Sequence, residues 1–209
     1  MCFDERVSIL TYIIGIIGCV ILIKKNFYVE AIFYFIVIQM QLIEFFIWQN
    51  QECNNYNKIV TKLGLVINHL EPIILWIAIN LFSKKILPDW IHYLMILYIF
   101  ISIIYSKKVY GNYCTNVTPE SKPYLYWKWN YDKYSEYYYL FFIIILNILC
   151  IYGVQYGYHM AFIINISYLI TYILYGKYHA IGTMWCFAAA FAPLISIGFY
   201  QLDIRNILY

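Results

Sequence analysis

The feature that most constrains this chain is a stretch of 40 positions, 137–176, that contains no Asp, Glu, Lys or Arg. A transmembrane helix needs about 20 mostly apolar residues, so this stretch is long enough for two crossings, with a turn at Gly153 to Gly157. Only 12% of the 209 residues are charged and 64% are hydrophobic. In soluble domains roughly a quarter of all residues are charged. The composition of this chain therefore excludes a cytosolic enzyme, a disordered chain and a nucleic-acid-binding protein.

Further apolar runs of similar length are bounded by polar or charged residues. They predict an all-α membrane protein, a seven-transmembrane-helix bundle that forms a single polytopic domain over residues 1–209. The expected spans are residues 7–23, 31–48, 63–83, 90–105, 137–152, 158–176 and 181–202. The long connection 106–136 is rich in aromatic residues, so we expect a lid or an interfacial segment there and not a disordered loop.

The orientation of such a bundle is not decided by its charges, because Lys and Arg in the short connections are divided almost evenly between the two faces. The segment Asn116-Val117-Thr118 is a candidate glycosylation sequon, with Asn116 as the acceptor. Cys53 and Cys114 lie in different connections on the same predicted face, and they can form a disulfide in an oxidising compartment. Both features favour a lumenal or extracellular position for this face. The alternative is that both cysteines are free thiols and that the sequon is a chance match.

Two acids fall inside the predicted spans, Glu44 in the second and Glu71 in the third. A charged side chain near the centre of a membrane helix costs about 2.5–3.5 kcal/mol on insertion scales, so such residues usually face the bundle interior and have a partner or a function. Helical spacing places Gln41 on the same face as Glu44, and Asn68 on the same face as Glu71. His69 is expected to point away from Glu71.

These residues lie in the half of the membrane where the seventh span begins. We therefore predict a polar cavity between helices 2, 3 and 7, covered by the long loop, that binds or passes a small solute, an ion or a proton. The candidate residues are Gln41, Glu44, Asn68, His69, Glu71, His179, Thr183 and Trp185. The alternative interpretation is a structural hydrogen-bond network that fastens the three helices.

Other chemistries have less support in the sequence. A metal site built from Glu44, His69 and His179 is sterically conceivable, but no H-x-x-x-H or H-E-x-x-H spacing supports it, so neither a metal nor a cofactor is predicted. A second hypothesis is a membrane-embedded enzyme that acts on lipid, with Glu44 or His69 as general base. A third is a structural component of a viral or organelle membrane, in which the aromatic residues of the loop contact partners. Under every hypothesis the lipid bilayer is an expected partner.

Three segments also carry a family resemblance: Gln41–Trp48, Tyr126–Trp129 and Gly182–Cys186. In combination they resemble uncharacterised multipass membrane proteins of large DNA viruses and some protists. The resemblance implies a membrane protein and no particular activity, because that family has no assigned function. The positions that it would mark are Glu44, Trp48, Trp127, Trp129 and Trp185.

Overall fold

The computed structural model describes residues 4–111, 113–119, 121–131 and 133–207, with side chains described as far as Gln201. Over these residues the chain is all-α, apart from two very short strands in the long loop. Its α-helices are α1 (Glu5–Lys24), α2 (Tyr28–Gln49), α3 (Asn55–Phe82), α4 (Asp89–Val109), α5 (Ser135–Gly153), α6 (Gly157–Tyr175), α7 (Ile181–Ala189) and α8 (Ala192–Ile207).

Within the described residues, the six helices α1 to α6 are long and apolar enough to cross a membrane. The seventh expected span, 181–202, is not one straight helix. Its two parts, Ile181–Ala189 and Ala192–Gln201, meet at an angle of 44° and count as a seventh span only if the bent pair is taken together. Pro193 lies in the first turn of α8, where its missing N–H is tolerated, whereas it could not continue an unbroken ladder from α7.

Several helices begin or end outside the apolar runs that define the predicted spans. The third helix begins at Asn55, before the predicted start at residue 63. Asn54 caps it by accepting a hydrogen bond from the N–H of Asn57 over 3.1 Å. Asp4 caps α1 in the same way, through the N–H groups of Arg6 and Val7. Hydropathy finds the apolar part of a helix, and the capping residues set its real ends.

The outer faces of the helices are apolar, and many of the polar side chains are buried inside the bundle. Leu10, Ile96, Phe100 and Ile173 are all more than half exposed, whereas Gln41 is 1% exposed. Such a surface is unfavourable in water but favourable in a bilayer, because lipid tails solvate apolar side chains and leave polar groups to pair inside the bundle. Burial therefore agrees with helix length and composition in indicating a membrane-embedded protein.

The packing of the helices leaves space on one side of the α2–α3 pair. Helix α2 packs against α1, α3, α7 and α8, while α3 packs against α2, α4 and α5. Helix α6 closes the arrangement by packing against α5, α7 and α8. The interior enclosed by α2, α3, α5, α6 and α7 is the region that contains the candidate site.

The described part of the long loop is fastened to the α2–α3 connection. Strands β1 (Asn116–Val117) and β2 (Leu125–Tyr126) pair antiparallel, and a 3-10 helix follows over Lys128–Tyr131. The structure pairs Cys53 with Cys114 in a disulfide, with 5.4 Å between their Cα atoms. The candidate glycosylation residue Asn116 lies half-buried in β1, and its modification stays a prediction.

The loop also enters the bundle instead of only covering it. Trp127 and Trp129 are 1% and 3% exposed. Gly64 on α3 gives them room, because a Cβ atom there would lie 3.1 Å from the Trp127 ring and 3.3 Å from the Trp129 ring. Gly182 on α7 has the same role, since a Cβ atom there would overlap Asn130. Two glycines on facing helices thus allow the loop to pack at its observed depth.

We expect the disulfide to stabilise the fold measurably. The double variant Cys53→Ala/Cys114→Ala should lower the free energy of unfolding by about 2–4 kcal/mol, because the bond closes a loop between residues separated by 61 positions. Thermal unfolding in detergent, without reductant, measures the difference. Reductant should reproduce the loss in the wild type and leave the double variant unchanged. An equal effect of reductant on both proteins would contradict the prediction.

Candidate functional site

A cavity of about 370 Å³ lies between α2, α3, α5, α6 and α7, under the long loop. Its mouth is at the loop face, where the exposed residues Lys133 and Glu136 line it. Its inner end is formed by Met40, Asn68 and Cys186. The walls between these ends are mainly aromatic and come from the loop, α5, α6 and α7: Trp127, Trp129, Tyr131, Tyr139, Tyr168, Tyr172 and Trp185.

Asn68 connects the inner end of the cavity to a buried acid. Its Oδ1 accepts a hydrogen bond from the Tyr139 hydroxyl over 3.0 Å, and its Nδ2 donates to Oε1 of Glu71 over 3.4 Å. Glu71 lines a second, much smaller chamber of about 30 Å³. This chamber shares Asn68, Trp185 and Cys186 with the main cavity, so the two spaces are neighbours along the bundle axis.

Glu44 belongs to a different network, on the far side of Trp127. Its carboxyl oxygens accept hydrogen bonds from the Gln41 amide over 3.1 Å and from the Trp127 indole N–H over 3.3 Å. Gln41 in turn accepts a hydrogen bond of 2.7 Å from the Thr11 hydroxyl on α1. Glu44 is 1% exposed and does not line the cavity.

Thr183 extends the Glu44 network from α7 to the loop. Its hydroxyl lies beside Glu44 and donates to the Leu125 carbonyl oxygen over 3.1 Å. Within the described part of the chain, Glu44 makes no ion pair, so neutral donors alone satisfy it. This network joins α1, α2, α7 and the loop, and it supports the structural alternative for Gln41, Glu44 and Thr183.

His69 is separate from both networks, although it is buried. It points away from Glu71, as the helical spacing predicts, and its Nδ1 shares a hydrogen bond of 2.7 Å with the Ser106 hydroxyl on α4. Its ring packs against Tyr105 and Tyr138. The expectation that His69 joins Glu44 and His179 in one site is therefore not met by the geometry, because its α-helical position turns it toward α4 and α5.

His179 also lies outside the cavity. It is exposed, has a positive φ of 51°, and packs edge-on against Tyr131. Burial raises the pKa of Tyr131, and its hydroxyl accepts a hydrogen bond from the N–H of Ile181. In the residues that the structure describes, no three His, Cys, Asp or Glu side chains converge in a way that could hold a metal.

Of the predicted site residues, Asn68 and Trp185 line the main cavity, and Glu71 lies directly behind Asn68. The predicted site between helices 2, 3 and 7 omitted α5 and α6, which supply much of the aromatic wall. With 25 Tyr residues in the chain, the sequence gives no signal that separates the lining tyrosines from those at the membrane boundary. Asn130 is a further lining residue that was not predicted, and its Oδ1 is buried without a hydrogen-bond partner among the described residues.

Comparison with known protein families, with curated proteins and with solved structures finds no match to this chain. The resemblance to membrane proteins of large DNA viruses and protists therefore stays a prediction.

We expect the bond between Trp127 and Glu44 to be important for stability. Trp127→Phe should lower the free energy of unfolding by about 1–3 kcal/mol, because it leaves a buried carboxyl group without one of its donors. Thermal unfolding in detergent measures this loss. Trp90→Phe is the matched control. Because Trp90 is 45% exposed, this variant should lose little of the free energy of unfolding. Equal losses in the two variants would show that the indole N–H contributes nothing specific.

Proposed function

We propose that this chain is an integral multipass membrane protein that binds a small organic cation in the aromatic cavity. The observation that carries the proposal is a cavity walled largely by tryptophan and tyrosine rings. One of its lining residues, Asn130, has a side-chain carbonyl oxygen that is buried without a hydrogen-bond partner among the described residues. A buried acceptor without a partner is costly, so a ligand whose donor reaches Asn130 would relieve that cost.

The aromatic walls favour a positive ligand. The face of an aromatic ring attracts a cation with about 0.5–2 kcal/mol, more strongly in a site that excludes water. Trp129 and Trp185 line the cavity from the loop and from α7, and Tyr139 and Tyr168 line it from α5 and α6. A cation in this space therefore has rings on several sides. At about 370 Å³, the cavity is within the size range of sites for small organic molecules.

The charges around the cavity agree with this choice. At the mouth, Lys133 and Glu136 have opposite signs. Below the mouth, the described residues that line the cavity include no Lys, Arg or His that could pair with an anion. An anionic ligand would meet the negative faces of the rings without such a partner, so the interior favours a cation over an anion.

The disulfide supports one orientation of this binding protein. Cys53 and Cys114 are on the same face as the cavity mouth, and disulfides persist in oxidising compartments. We therefore place the mouth on the lumenal or extracellular side, from which the ligand would enter. The hypothesis of a lipid-acting enzyme gains no support from the contacts, since Glu44 is held by Gln41 and Trp127 and lies apart from His69.

Choline and its neutral isostere 3,3-dimethyl-1-butanol test the proposal directly. Isothermal titration calorimetry on the purified full-length protein should show choline binding at least tenfold more tightly than the neutral isostere. Equal affinities would keep the cavity as a solute site but overturn the cation class. No binding by cationic, neutral or anionic members of a small-molecule panel would overturn the function itself.

The role of Asn130 is tested by a variant. Asn130→Leu should weaken choline binding about tenfold, which corresponds to the loss of one hydrogen bond or dipole contact of about 1.4 kcal/mol. Asn80→Leu is the matched control, because Asn80 is exposed and donates to its own helix at Trp76. If both variants bind choline like the wild type, Asn130 is not part of the site.

A further inference from the structure

A third buried acid lies near the opposite end of α2 from the loop. Glu30 is in the first turn of that helix, yet it is only 3% exposed. Its Oε1 is buried beside the hydroxyl of Tyr200 on α8, close enough for the two groups to interact, and neither atom has a well-formed hydrogen bond among the described residues. A buried acid whose carboxyl group is held so weakly is costly in a membrane bundle, and such residues commonly mark an ion or proton pathway.

Hydroxyl groups connect Glu30 to the middle of the bundle. The hydroxyl of Tyr34, one helical turn after Glu30, shares a hydrogen bond of 2.9 Å with the Ser196 hydroxyl. Ser196 and Glu30 both lie beside Tyr200. The series Tyr34, Ser196, Tyr200 and Glu30 therefore places polar groups one after another from the bundle interior toward the end opposite the loop.

The small chamber joins this series to the cavity. Tyr34 and Glu71 both line the chamber, whose volume of about 30 Å³ is enough for about one water molecule. On the loop side, Asn68 lines both the chamber and the main cavity. Glu71 and Tyr34 thus border one water-sized space, which lies between Asn68 on the cavity side and the hydroxyl series that leads to Glu30.

The break between α7 and α8 is at the same chamber. Ala189 ends α7, Ala192 begins α8, and both line the chamber opposite Glu71 and Tyr34. Interrupted helices at membrane depth are tolerated where they are buried in protein or line a cavity, and broken helices recur at the ion and substrate sites of transporters. The helix break is independent of the evidence from the acids, and it borders the same chamber.

We propose that protons cross the membrane along this series, between Glu71 on the cavity side and Glu30 on the opposite side. Each carboxyl group takes up one proton and releases one. Each hydroxyl accepts a proton on its oxygen as it gives up its own, so that only a proton moves. A larger cation fits less well, because the chamber has room for about one water and few oxygen ligands.

Among the described residues, the titratable groups that interact with the two acids are tyrosines and cysteines, and one basic ring, that of His159, packs against Tyr200 with 6.4 Å between ring centroids. Tyr98 on α4, Tyr138 and Tyr139 on α5, and Cys186 on α7 surround Glu71. Around Glu30 the corresponding groups are Tyr34, Cys150 and Tyr200. In the described residues, neither acid has an ion-pair partner that would hold it permanently ionised, as a reversible proton carrier requires.

The test is proton flux through the full-length protein in liposomes that contain the pH-sensitive dye pyranine, driven by a potassium diffusion potential with valinomycin. The wild type should change the internal pH at least tenfold faster than protein-free liposomes. Glu71→Gln and Glu30→Gln should each reduce the rate at least tenfold. Glu44→Gln is the matched control, because it is the same substitution at a buried acid outside the series, and it should stay within twofold of the wild type.

Three outcomes would overturn the proposal: a wild-type rate equal to that of protein-free liposomes, full flux in both Glu71→Gln and Glu30→Gln, or an equal loss in Glu44→Gln. Thermal unfolding and choline titration on the same preparations separate this result from misfolding and from failure of the cation site. If Glu30→Gln does not fold, Ser196→Ala takes its place, with the same expected loss of flux.

Discussion

The contact between Trp127 and Glu44 determines how the loop relates to the helices. The indole N–H gives the buried carboxyl group a donor, and the ring fills the space left by Gly64 and Gly182. Because the tryptophan is anchored below the loop face, the following residues, including Asn130, form a wall of the cavity.

The three buried acids differ in their hydrogen-bond partners. This difference distinguishes the acid with a structural role from the two in the proposed proton pathway. Glu44 has one donor from its own helix and one from the loop, with the Thr183 hydroxyl of α7 beside it, so it fastens the bundle. Glu71 has one long hydrogen bond from Asn68 and borders a small chamber. Glu30 has an oxygen without a partner among the described residues. An acid with fewer hydrogen-bond partners exchanges a proton more readily. The proposed pathway therefore uses Glu71 and Glu30.

Helical periodicity predicted the local part of this arrangement. The shared faces of Gln41 with Glu44 and of Asn68 with Glu71 follow from three-residue spacing, and both pairs are hydrogen-bonded in the structure. Contacts between distant segments could not be predicted in the same way. The spacing predicted that His69 points away from Glu71, but it did not reveal Ser106 as its partner. In the sequence, Glu30 resembled an ordinary charged residue at the end of a span. Pro193 indicates a kink in the last apolar run, but the sequence did not reveal that this run forms two separate helices that meet at 44°.

The disulfide has a consequence for the order of assembly. The bond between Cys53 and Cys114 encloses all of α3 and α4 in a covalent ring. In an oxidising compartment this ring can close as soon as residue 114 has been translocated, before α5, α6 and α7 have been synthesised. Helices α3 and α4 can therefore become a covalently closed unit, onto which Trp127 and the later helices that complete the cavity are added.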